Sequence, residues 1–249
     1  MSNIDFSTKY WEKRKEELLK FCKKDPKIVL DLVPTFSERL ETMSSDFYIL
    51  NYYGLGLSYA KCAKNFYIIK GDVENCKKNF FLAAKAIEMC CTLYNQGLSV
   101  KSDIAYEIEN RDYLLSYSLC ALIAEDEELA LELCGRNSLL GCIVLQDYEK
   151  GIYYYDKDEK DSIVSTMLWN IAKGDEKQFT KNLIAYIKMI RKEYRIAVNL
   201  INEFGLGLLK LARKNHMFCD INIAELPQEI LDVKIPIDYE NWKLPGIDF

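Results

Sequence analysis

Between Pro34 and Pro227 the chain has no proline, and through that stretch apolar residues return every three or four positions. Phe80, Ala83, Ala84, Ile87, Cys90, Cys91 and Tyr94 form one such stripe. That spacing is the period of an amphipathic helix, whereas a strand would alternate. A proline-free interior also leaves each backbone amide able to join a helical ladder. The pattern predicts an all-α chain built from stacked antiparallel helical hairpins, either a tetratricopeptide-like right-handed stack or a closed helical bundle.

The predicted first helix starts at Ser7 as N-cap and runs to about Cys22, and Asp25 caps a second that Pro34 divides. A third begins at Ser44 or Ser45 and ends at Gly71. There Lys70-Gly71-Asp72 makes a tight turn that Lys173-Gly174-Asp175 repeats. Glycine supplies the left-handed residue that closes one helix, and aspartate accepts the orphan amides that open the next. Gln178 stands where a capping box places its reciprocal partner. Ala124-Glu125-Asp126-Glu127 makes a third such turn, so a weak repeat of about 50 residues emerges. Two Gly-x-Gly pairs, Gly54 with Gly56 and Gly205 with Gly207, sit inside helical periodicity. They are read as points of close helix approach, since a dinucleotide loop needs a preceding strand.

One domain over residues 1–249 is expected: N-terminal helices to 43, hairpin repeats over 44–216, and an extended tail over 217–249 packed on the helices. Gly135 to Lys160 is expected to be a long connection with short helical pieces.

Charge and composition narrow the partners. The formal net charge of -5 and the pI near 5.2 disfavour a phosphate backbone, so nucleic acid is not expected, while a basic protein is drawn in. Residues 1–7 are polar and lead into Glu12-Lys13-Arg14-Lys15-Glu16-Glu17, with no signal-peptide core. No run nears the roughly 20 apolar residues of a membrane span. A cytoplasmic protein with no membrane partner is the expectation. The cysteines, 9 in all, include Cys62, Cys76, Cys90, Cys120 and Cys134 on apolar stripes, where reduced thiols act as small hydrophobes. With a single histidine, His216, late in a helix, neither a zinc site nor a general base has its usual partners, and no cofactor is expected.

Two acidic clusters invite binding: Glu125 to Glu128 with Glu132, and Asp156, Asp158, Glu159 and Asp161. Glu128 and Glu132, one turn apart, are also the spacing of a carboxylate metal site. Tyr153, Tyr154 and Tyr155 precede the second cluster, and three consecutive rings do not all face one core. The expected partner-binding surface is therefore Tyr153, Tyr154, Tyr155, Asp156, Asp158, Glu159 and Asp161, with Glu127 and Glu128 as secondary contacts. The motifs of serine hydrolases, P-loop enzymes and zinc proteases do not occur, so no enzyme is expected.

The layout resembles the all-helical immunity proteins of bacterial polymorphic toxin systems, in particular immunity protein family forty-nine. The resemblance is carried by the aromatic-rich helix around Tyr59 and Phe66 and by the Gly71-Asp72 turn into Ala83-Ala84. Leu119 to Ala124, Trp169 to Asp175, and Leu211-Ala212-Arg213 before Leu226-Pro227 complete it. It spans about Tyr48 to Leu231. It implies a bacterial protein that binds a cognate toxin domain, expected to be basic, and occludes it without chemistry. A helical-repeat scaffold for a peptide or protein, and an all-helical carboxylate metal enzyme, are the alternatives.

Overall fold

The computed structural model describes residues 47–100, 102–157, 162–193 and 200–244, together with residues 12, 13, 15–17, 19 and 20, which are helical. The remainder of the expected first helix, and the expected caps Ser7, Asp25, Ser44 and Ser45, lie outside the described residues. The described elements are all helical: α1 (Tyr48–Lys70), α2 (Val73–Asn95), α3 (Ser102–Glu109), α4 (Arg111–Ile123), α5 (Glu127–Cys134), α6 (Leu139–Val144), α7 (Tyr148–Lys157), α8 (Ile163–Ala172), α9 (Glu176–Glu193), α10 (Glu203–Lys214) and α11 (Glu229–Asp232). The all-α architecture of paired helices predicted from the periodicity is the one observed.

One turn recurs four times. The chain leaves a helix through a left-handed residue: Gly71 (φ 64°), Glu125 (φ 72°), Gln146 (φ 60°) or Gly174 (φ 66°). An aspartate follows each, and its amide reaches back into the helix just ended, to Phe66, Ala121, Cys142 or Asn170. Its carboxylate then accepts the amide three residues ahead, from Asn75 (3.0 Å), Leu129 (2.9 Å), Lys150 (3.3 Å) or Gln178 (3.1 Å). The same residue thus satisfies a helix end and a helix start, which closes a hairpin in two residues.

Three of these turns were legible in the sequence. The fourth, Gln146-Asp147, joins two of the short helical pieces expected over Gly135 to Lys160, α6 and α7, into a hairpin, with Gln146 in the left-handed position and no glycine to mark it. Gln178 does not complete a capping box; its Nε2 donates to Asn182 one turn on, at 3.1 Å. His216 lies beyond α10 and closes it with φ 62°, its amide bonding to Arg213.

The hairpin α1–α2 forms the most extensive helix contact, α2 packs on α4, and α4 packs on both α5 and α10. Helix α8 joins α6, α9 and α10. In an open solenoid each repeat touches only its neighbours; here α10 returns to α4 across five described helices, which is the closure of a bundle. Two of the four glycines read as close-approach points, Gly56 and Gly207, sit where these helices meet. A Cβ on Gly56 of α1 would lie 2.6 Å from Ile87 Cδ1 of α2, and one on Gly207 of α10 would lie 2.9 Å from the Leu119 carbonyl oxygen of α4.

The chain after α10 is tied to the hairpins at several points. Lys77 donates to the Val233 carbonyl at 2.6 Å and Tyr239 to Asp126 Oδ2 at 3.1 Å. Phe81 meets the rings of Tyr239 and Trp242 at 5.8 and 5.9 Å. Cys62, Cys76, Cys90 and Cys120 are buried free thiols, and Cys134 is half-buried. Burial pushes Cys76, Cys90 and Cys120 well up, and raises Cys134 to about 11. The thiolate is the reactive form, so a disulfide reagent at neutral pH should label these positions slowly until denaturant is added. Rapid labelling of the native protein would show that they are accessible.

Candidate functional site

Helix α3 carries two faces. Ile104 and Ile108, one turn apart, are buried, while Asp103 and Tyr106 stand on the exposed side, Tyr106 with 69% of its surface accessible. That outer face forms one wall of a cleft of about 900 Å³. Tyr53 and Leu57 of α1, Tyr113 of α4, Tyr186 of α9 and the α10 start at Asn202 to Phe204 line much of the remainder. Among the described residues that line it there are three carboxylates, Asp103, Glu107 and Glu203, and no lysine or arginine.

The aromatic lining is ordered by ring contacts. Tyr53 and Tyr113 stack at 5.7 Å with 17° between planes, Tyr113 meets Tyr117 at 5.0 Å, and Tyr186 meets Phe204 at 5.4 Å. Tyr53 donates its hydroxyl hydrogen to Glu107 Oε2. Glu203 also accepts on Oε1, at 3.0 Å, from the buried Lys64, which is not itself a lining residue. Burial, reinforced by the bond to Glu107, pushes the Tyr53 phenol up to about 12, and burial raises Tyr113 and Tyr117 further. All three stay protonated at neutral pH. Tyr53 and Tyr113 already donate their hydroxyl hydrogens to Glu107 and Tyr117, so the tyrosines offer ring faces and the carboxylates offer acceptors; the combination suits a cationic side chain.

A second cleft, of about 540 Å³, opens between the α4–α5 turn, the end of α10 and the tail, and there Lys210, Arg213, Lys214 and Lys234 face Glu125 and Glu127. Its cations are largely consumed internally. Lys210 pairs with Glu125 at 2.7 Å, Lys214 with Glu127 at 2.5 Å, and Arg213 with Asp232 at 2.7 Å.

Of the residues expected to form the binding surface, the tyrosines lie on α7 and Glu127 and Glu128 on α5. On α7, Tyr153 is exposed, Tyr154 packs edge-on to it at 5.4 Å, and Tyr155 is stacked on Trp169 at 4.7 Å with planes 3° apart. Successive helical residues point about 100° apart, so the three rings divide between solvent and a packed face. Glu127 is paired in the second cleft, and Glu128 is held by Arg136 at the surface. The side chain of Asp156, and Asp158, Glu159 and Asp161 altogether, lie outside the described residues. The aromatic cleft on α3 was missed, although Asp103, Tyr106 and Glu107 at i, i+3 and i+4 present one acidic and aromatic helix face opposite Ile104 and Ile108. Comparison with protein-family models, with curated proteins and with solved structures finds no match to this chain.

Proposed function

We propose that this chain is an immunity-type binding protein that neutralises a basic toxin domain by occluding it, and that the cleft on α3 is its principal contact surface. The observation that carries the reading is the cleft itself: three carboxylates and exposed aromatic surface on rigid helices, with no lysine or arginine among the described lining residues. The net charge of -5 speeds encounter with a basic surface, and the tyrosines supply contact area at low entropic cost. Tyr153, with the acidic residues that follow it in sequence, remains a secondary surface.

Co-expression with the toxin domain encoded beside the gene tests this. The wild-type chain should restore growth, and the double variant Asp103→Lys, Glu107→Lys should abolish protection; it gives up the Tyr53 bond to Glu107, so its stability should fall by no more than the ~1 kcal/mol of one hydrogen bond, Asp103 being exposed and Glu107 half-buried. Tyr153→Ala should keep protection. Full protection by the double variant would remove the cleft from the contact surface.

A further inference from the structure

We infer that the cleft is a receptor for arginine side chains and discriminates guanidinium from ammonium, an inference that rests on the reading of a basic protein partner. Two of its carboxylates are half-satisfied. Glu107 receives the Tyr53 hydroxyl on Oε2, and Glu203 receives Lys64 on Oε1. One oxygen of each is thereby pinned, and the other is left to accept from an incoming donor. A carboxylate already oriented in this way loses little freedom on binding, which favours directional recognition over a diffuse field.

The aromatic surfaces add the second requirement. A planar guanidinium stacks on a tyrosine face and presents five N–H donors in a fixed fork, so it engages ring and carboxylates together. Tyr106 offers the most exposed ring, one turn from Asp103 and adjacent in sequence to Glu107. An ammonium is a compact, strongly hydrated charge with three donors and no flat face, and it satisfies one demand at a time. The occupant is therefore an arginine-bearing segment of the partner, reaching between Tyr106 and the free oxygens of Glu107 and Glu203.

Calorimetric titration of the intact chain with amidated tetra-arginine, tetra-lysine and tetra-glutamate peptides tests the inference. Tetra-arginine should bind about tenfold tighter than tetra-lysine, and tetra-glutamate should give no heat. Glu107→Gln and Tyr106→Ala should each weaken tetra-arginine about tenfold and erase the preference. Glutamine still accepts from Tyr53, and Tyr106 is exposed, so both variants should melt as the parent does. Equal affinity for the two cationic peptides overturns guanidinium recognition and leaves the basic-partner reading standing. No binding of either peptide, or binding that both variants leave unchanged, overturns the arginine receptor. If Asp103→Lys, Glu107→Lys also still protects against the toxin, the cleft falls as the contact surface as well.

Discussion

Replacing Glu125 by alanine should destabilise the protein by about 3–5 kcal/mol, because it strands a buried charge. Lys77 has no accessible surface, and among the described residues its ammonium reaches only Glu125 Oε1 at 3.1 Å and the Val233 carbonyl at 2.6 Å. Burial lowers the lysine's pKa, and Glu125 works against that effect. The same carboxylate oxygen takes Lys210 at 2.7 Å, so its loss also leaves two cations near each other. The informative variant is Glu125→Gly. The residue sits at φ 72°, where glycine relieves about 1 kcal/mol of left-handed strain, and the equivalent turns carry Gly71 and Gly174. Turn chemistry alone therefore predicts stabilisation, and the ion pair predicts a net loss. Denaturant unfolding that finds Glu125→Gly as stable as the parent would show that the pair contributes nothing.

The pair also sets an acid limb. Burial acts to raise the Glu125 carboxyl, but hydrogen bonds from Lys210 and Lys77 outweigh it and hold the group below its ordinary value of 4.5. A carboxylate depressed by folding contributes stability that is complete above its unfolded pKa and vanishes as pH falls through the folded one. Melting temperature should therefore decline below pH 4.5, and Glu125→Gln should flatten that decline.

Gly207→Ala should destabilise the protein by about 1–3 kcal/mol through overpacking, even though alanine is the better helix former by about 1 kcal/mol. The added methyl would lie 2.5 Å from Leu119 Cβ and 2.9 Å from the Leu119 carbonyl oxygen. Those atoms belong to the backbone and stem of α4, so relief requires α10 and α4 to separate. Gly56→Ala meets instead the outer carbons of Ile87, Cδ1 at 2.6 Å and Cγ1 at 2.8 Å. A side-chain rotation answers part of that contact, and the loss should stay within about 1 kcal/mol. Equal effects in a chemical denaturation pair would mean that the two helix crossings are equally tolerant.

Much of this architecture was readable before any coordinates, because its signals are local. The stripe Phe80, Ala83, Ala84, Ile87 and Cys90 is buried as its spacing requires, and Asp72, Asp126 and Asp175 cap helices as their positions require. The tight turn at Gln146, and with it the pairing of α6 with α7, escaped, since a glutamine in a left-handed position leaves no compositional mark. The cleft escaped for a different reason. Tyr53, Tyr106, Tyr113, Tyr186 and Glu203 come from five helices, and periodicity places a residue on a face without saying which other face it meets. Tyr155 shows the converse: as one of three adjacent tyrosines beside acids it resembled a binding surface, and Trp169 takes up its ring.

The sequence by itself determined the helical class, the hairpin turns and the small residues where helices cross, because helix propensity, capping and the 3.6-residue period act over one or two turns of chain. The tertiary structure alone decided that α10 closes back on α4, that Lys77 finds Glu125, and that acids and tyrosines from separate hairpins line one cleft. Those outcomes depend on contacts between residues as far apart as Lys64 and Glu203. Such contacts are selected by the packing of whole helices into a shared core, and no local pattern along the chain encodes them.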